Sequence, residues 1–139
     1  MFLNATAQNA LRAVLYIAVH GADVPVRVDS VAASLECPRN YLSKTLHALT
    51  RAGVLRSVRG RHGGFQLVDS PTALVLSRVV GPFQPKGERR CLLGRVTCGD
   101  AHPCPAHHRW SRVASDLEGF FGQTTVADLL KQDPASRTI

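Results

Sequence analysis

Apolar residues recur three and four positions apart almost from the start of the chain. Ala10, Leu11, Val14, Leu15 and Ala18 trace one face of a helix from Asn4 to His20, and Gly21 stops it. Val24 to Val28 is short, β-branched and interrupted by Pro25, which predicts a turn or an edge strand. A second short helix spans Val28 to Leu35, with Val31, Ala32 and Leu35 inward. Glu36-Cys37-Pro38 forms a turn, and Pro38 suits the first position of a new helix, where its missing N–H costs nothing. That helix runs to about Ala52, turns Tyr41, Leu42, Thr45, Leu46 and Leu49 inward, and stops at Gly53. Val54 to Val58 and Phe65 to Val68 are two strands around the turn Arg59 to Gly64. Ser70-Pro71 opens a connector, Ala73 to Val80 is a short helix, and residues 81–87, with Pro82 and Pro85, form a loop. Pro105 opens a longer helix to about Phe121. Its apolar stripe is Trp110, Val113, Leu117 and Phe120, flanked by His107, Ala114 and Phe121. Thr125 caps a last helical turn, Val126 to Leu130, and the tail after Pro134 is expected to be disordered.

Two short helices joined by a tight turn, followed by a hairpin, make a winged helix-turn-helix pattern. The second helix carries Arg39, Asn40, Ser43, Lys44 and His47 on its surface. The hairpin turn, Arg59-Gly60-Arg61-His62-Gly63-Gly64, is rich in glycine because the chain must reverse and approach something closely. Arg59 and Arg61 at its tip suit the sugar–phosphate backbone or a minor groove. Charge agrees. The net charge is +7, and from Cys37 to Val68 there is no Asp or Glu against Arg39, Lys44, Arg51, Arg56, Arg59 and Arg61. Such a face attracts a polyanion. The candidate DNA-binding set is Arg39, Asn40, Tyr41, Ser43, Lys44, Arg59, Arg61, Gly63 and Gly64, Tyr41 being counted among the inward positions as well.

The 139 residues suffice for one modest core. The fold expected is mainly α with a small β-wing. Residues 1–69 form the DNA-binding domain, 70–104 a connector and cysteine loop, 105–133 a dimerisation helix with a terminal turn, and 134–139 a tail. The globular part is small, so the long helix's stripe is expected to pack partly on a second subunit. No run approaches the roughly 18 apolar residues of a membrane helix, and no signal peptide is visible. A cytoplasmic protein with no membrane partner is the expectation, and its four cysteines are then better suited to ligation or burial than to disulfides.

Three of those cysteines are clustered. Cys91 and Cys98 are separated by six residues, Cys98 and Cys104 by five. Structural zinc sites use tighter pairs. Wider spacing lets a loop wrap a larger object, and an iron–sulfur cluster is the usual partner of several thiolates on a glycine-containing loop. Gly94 and Gly99 give the backbone freedom to wrap and leave N–H groups for cluster sulfur. His107 lies three residues after Cys104, near the same face if Pro105 begins the helix, and imidazole replaces thiolate in Rieske centres. His108 lies about 100° further round, and His102 sits in the loop. Cys37, alone in the helix-turn-helix turn, is expected to be buried and inert. The candidate metal set is Cys91, Cys98 and Cys104, with His107 a candidate for the fourth ligand, and a 2Fe-2S or 4Fe-4S cluster is the expected cofactor. Zinc or a thiol switch is the alternative. An iron–sulfur enzyme or electron carrier is disfavoured, because no substrate-binding fingerprint or nucleophile–base motif stands out and a carrier needs no basic wing.

These segments resemble the bacterial winged-helix iron–sulfur regulators that include IscR and NsrR. The likeness covers nearly the whole chain: Asn9 to Ala18, Tyr41-Leu42, Leu49 to Leu55, the wing Ser57 to Leu67, then Cys91 to Gly94, Cys98, Pro103 to His107 and Trp110. It implies a homodimer crossed by the long C-terminal helices, with two wings on a roughly palindromic double-stranded operator, sensing redox state, nitric oxide or iron–sulfur status. IscR-like members use three cysteines and the histidine three positions later, which maps onto His107. NsrR-like members take an acidic ligand from the partner's first helix, where this chain has Gln8. That departure favours His107 or an exogenous small ligand. The first cysteine gap is also one residue longer than in either relative, so cluster type stays open.

Overall fold

The computed structural model describes residues 3–85 and 91–132. The first element, α1 (Ala5–His20), is capped by the Asn4 side chain, which accepts from the Ala7 N–H at 2.8 Å. Gly21 closes it, donating to the Ile17 carbonyl at 2.7 Å. The fully buried line is Ala7, Ala10, Ala13, Val14 and Ile17, while Leu11, Leu15 and Ala18 are half-buried. The face is thus turned toward the alanines from the stripe that residue size suggests. α1 touches α2, α3, the hairpin, α4 and α6, and small side chains are what allow so many neighbours to approach one helix.

α2 (Val28–Leu35) ends at Glu36, whose φ of 51° is left-handed. α3 spans Arg39–Arg51. Pro38 is the residue before it rather than its first: Pro38 has ψ 130°, and its carbonyl accepts from the Leu42 N–H at 3.0 Å. Strand β1 (Leu55–Val58) pairs antiparallel with β2 (Gly64–Leu67), from Leu55 opposite Leu67 to Val58 opposite Gly64. Val26 adds an isolated bridge to Phe65, with N–O distances of 2.8 and 2.9 Å, so the Pro25 segment does sit at the sheet edge. Leu42, Leu46, Leu49, Val54, Leu55, Leu74, Leu76, Val79 and Val126 fill the core between these elements.

The connector helix α4 (Leu76–Val80) is shorter than the expected Ala73 to Val80, because Ser70 to Leu74 makes a turn on the Ser70 carbonyl. A 3-10 turn, Gly81–Phe83, follows. α5 (His107–Gln123) starts two residues after Pro105 and continues two beyond Phe121. α6 (Val126–Gln132) is anchored by the Val126 N–H on the Leu74 carbonyl at 2.9 Å and the Leu76 N–H on the Thr124 carbonyl at 2.9 Å. Ala114 is the buried residue of α5. Val113 and Phe120 are 45% and 51% exposed, so the expected stripe is open on this chain. The tail beyond Pro134 and the end of the 81–87 loop lie outside the described residues.

Candidate DNA interface and metal centre

The amphipathic period of α3 separates its two faces. Leu42, Thr45, Leu46 and Leu49 are buried, while Arg39, Asn40, Lys44 and His47 are exposed and Ser43 is half-buried. Tyr41 is half-buried, not buried, and its hydroxyl meets Thr6 Oγ1 at 2.5 Å. That bond ties the start of α3 to the start of α1. Arg59 and Arg61 are exposed on the wing turn. Between α2, the start of α3 and the wing lies a cleft of about 220 Å³, bordered by Arg27, Asp29, Arg39, Gly60, Gly63 and Gly64.

Two wing glycines have a reason inside the chain. A Cβ on Gly64 would meet the Val26 carbonyl oxygen at 2.4 Å, and one on Gly63 would meet the Val58 carbonyl oxygen at 2.2 Å. The close approach is therefore to the protein's own backbone at the Val26 bridge and the hairpin end. At Gly60, φ is 112° and the space is open, so backbone conformation alone calls for glycine there.

The cysteine loop converges. The sulfurs of Cys91, Cys98 and Cys104 all lie within 4.8 Å of one another, and Cys91 and Cys104 are 3.6 Å apart. With metal–sulfur bonds of about 2.3 Å, two thiolates on one tetrahedral ion sit about 3.8 Å apart, so the donor set fits a soft metal. Gly94, at φ 72°, donates to the Cys91 carbonyl at 3.0 Å and folds the loop back. His107 Nδ1 is 3.2 Å from Cys98 Sγ, and its Nε2 is 2.9 Å from Asp100 Oδ1. The imidazole thus bridges the thiol cluster and a carboxylate, the arrangement that orients a metal-binding histidine. His102 and His108 are exposed. Cys104 is buried, Cys91 and Cys98 half-buried, and Cys37, expected to be buried, is also half-exposed in its turn.

Backbone hydrogen bonding from Arg95, helped by Leu93, lowers the Cys91 thiol to about 7. At Cys98 the backbone of Cys104 also favours the thiolate, but loss of water and the two neighbouring sulfurs outweigh it and push the thiol up. One sulfur is thus readily ionised and an adjacent one resists a second charge, a conflict that a bound cation relieves.

Sequence reasoning missed Thr6, Asp29 and Asp100. Asp29 had a bland explanation as a first-turn carboxylate at a helix N-terminus. The other two acquire partners 35 and 7 residues away, which no local pattern announces.

Fold and site together define a winged helix-turn-helix protein with a thiol cluster ahead of its last long helix. The model of the Rrf2 family, described as iron-dependent transcriptional regulators, matches residues 3–132. The chain belongs to that family: it is a DNA-binding transcription regulator. It is 33% identical over 133 residues to a protein of Aquifex aeolicus named among the HTH-type transcriptional regulators, covering 94% of this chain and 92% of that one. It is 25% identical over 133 residues to the HTH-type transcriptional regulator IscR of Photobacterium profundum, covering 96% and 77%. Among solved structures it resembles CymR, the global cysteine regulator of B. subtilis, with a TM-score of 0.80 at 19% identity over 96% and 98% of the two chains. It resembles T. potens IscR with a TM-score of 0.75 at 21% identity over 95% and 88%. At those identities the structural likeness concerns the fold. Among the described residues, no helix is long and apolar enough to cross a membrane.

Proposed function

We propose that this regulator binds a roughly palindromic operator as a homodimer, and that its grip depends on an iron–sulfur centre held by Cys91, Cys98 and Cys104, with His107 as fourth ligand. The observation that carries this reading is the convergence of three sulfurs within 4.8 Å, beside an imidazole backed by a carboxylate. When bound, such a cluster is open to attack by oxidants and nitric oxide.

The chain's own residues supply the rest of the device. In the division proposed, residues 1–69 bind DNA, 70–104 carry the connector and cluster loop, and 105–133 dimerise. Arg39, Asn40, Ser43 and Lys44 enter the major groove. Arg59 and Arg61 take the backbone or minor groove, with Gly63 and Gly64 shaping the wing. Tyr41 holds α3 against α1. Leu92, Leu93 and Val96 of the loop are exposed, so little besides Cys104 anchors that segment to the core. Its order then depends on what the sulfurs hold. Because it leads directly into α5, its loosening can shift the relation of two wings across a dimer.

A second reading replaces the cluster by a single zinc ion or a Cys91–Cys104 thiol switch. The mutual closeness of all three sulfurs, within 4.8 Å, favours it, because thiolates sharing one tetrahedral ion stand closer together than thiolates on different irons of a cluster. Anaerobic isolation with iron, sulfide and zinc analysis, followed by Mössbauer spectroscopy, separates the two. Under the cluster reading, anaerobic holo protein and metal-free protein differ in operator affinity by at least about tenfold, or about 1.4 kcal/mol, with release from DNA on loss of the centre. Equal affinities at the same salt would refute the switch and leave DNA binding untouched.

A further inference from the structure

Asp29 is the acidic residue on the border of the cleft between the helices and the wing. It lies in the first turn of α2, and its Oδ1 accepts from Arg39 Nε at 2.5 Å. Arg39 is the first residue of α3. The two side chains are 58% and 54% exposed, so the ion pair contributes little to the stability of the fold. A carboxylate at this place also opposes the attraction of the neighbouring cations for phosphate. Neither stability nor general DNA affinity explains it.

The geometry of the guanidinium does. Arginine presents its donors as a rigid planar fork. The bond to Asp29 engages Nε, which leaves the outer edge formed by the two terminal amino groups. That edge offers two parallel N–H donors, the pattern that pairs with O6 and N7 of guanine in the major groove. The first turn of the second helix in a helix-turn-helix is where side chains reach base edges. A carboxylate behind the guanidinium removes much of its rotational freedom before DNA arrives, and that lowers the ordering cost of binding.

We propose that Asp29 is a positioning residue for DNA readout, holding Arg39 so that the outer edge of its guanidinium reads one guanine in each half-site. This inference rests on the DNA-binding reading above and adds to it a second residue and a base.

The test uses the full chain, isolated anaerobically, and a random duplex library. Wild-type protein selects an operator, and binding is then measured for every base pair of one half-site with wild type, Asp29→Asn, Asp29→Glu, Arg39→Ala and the double variant Asp29→Asn/Arg39→Ala. The expected result is one G·C position preferred by about tenfold or more. Arg39→Ala abolishes that preference. Asp29→Asn removes most of it while preferences elsewhere persist. Asp29→Glu restores part of it, and the double variant discriminates no worse there than Arg39→Ala. Thermal unfolding of the Asp29 variants should stay close to wild type, since the pair is exposed. The proposal is overturned if Asp29→Asn tightens binding to all sequences alike with an unchanged base profile, because the carboxylate then acts only as a charge. It is equally overturned if Arg39→Ala weakens all sequences uniformly, because Arg39 then binds phosphate. Failure of the wild-type protein to select any sequence would instead remove the readout on which the inference depends.

Discussion

Cys91, Cys98 and Cys104 stand at the centre of the residue-scale argument, because soft-metal binding needs several deprotonated sulfurs at one point. Each of the three changed to Ser should abolish the visible absorption of anaerobically prepared protein. His107→Ala should instead shift the spectrum or speed loss of the chromophore, since a small exogenous ligand can replace one imidazole. Full colour in any single Cys→Ser variant would remove that sulfur from the ligand set. The wing offers a second contrast between neighbouring residues. Gly64→Ala drives a Cβ to 2.4 Å from the Val26 carbonyl oxygen, so urea unfolding should show a loss of roughly 1–3 kcal/mol. Arg59→Ala with Arg61→Ala touches no packed group and should stay within about 0.5 kcal/mol of wild type. The same double variant should lower the salt slope of operator binding by about 0.9 for each phosphate that the wing no longer neutralises. Normal operator binding and slope would place the wing away from DNA.

At the scale of elements, the short helix α6 owes its start to a reciprocal cap. The Asp128 N–H donates to Thr125 Oγ1 at 3.1 Å, and the Thr125 N–H donates to Asp128 Oδ2 at 2.9 Å. The Thr125 backbone N–H, then its hydroxyl, holds the Asp128 carboxyl below its usual 3.8. A carboxylate lowered on folding stabilises above its unfolded pKa, and the contribution fades as pH falls through the lower folded value. The stability advantage of wild type over Asp128→Asn should therefore be constant near neutrality and shrink below about pH 4. Thr125→Ala should cost about 1 kcal/mol near neutral pH. Chemical denaturation across that range checks both, and a gap that persists into acid would mean the carboxylate is not the cap. Element existence was legible in the sequence: α2 and the antiparallel hairpin fall where patterning and turn residues put them. Among the boundaries that moved were two at prolines. Pro38 and Pro105 precede their helices instead of opening them, because each helix starts where its first N–H finds a carbonyl, and that depends on the turn before it.

On the scale of the whole molecule, α5 is the element without enough partners. It buries Ala114 and leaves Val113 and Phe120 about half exposed. Beside them Trp110, Leu117 and Phe121 line an apolar groove of about 520 Å³ with Leu3 and Val80. An apolar stripe left this uncovered fits association with a second copy. Phe120→Asp should convert a dimer to a monomer in sedimentation equilibrium while circular dichroism stays unchanged. Binding to a two-half-site operator should then fall by at least about tenfold, since each half would bind without its linked neighbour. A dimer that survives this substitution places the interface elsewhere.

Taken alone, the sequence determined the winged helix-turn-helix class, the basic face from Cys37 to Val68 and the cysteine cluster, because each is written in local spacing or in charge. A helical period, a glycine-rich turn and three cysteines within 14 residues need no distant partner to be recognised. Tertiary structure decided which alanines of α1 face the core, that the wing glycines are tight against Val26 and Val58, and that Tyr41 leans on Thr6. It also decided that Asp29 grips Arg39 and that His107 stands between Cys98 and Asp100. Each of these joins residues through packing or a directed hydrogen bond, and direction exists only once the elements are placed in three dimensions.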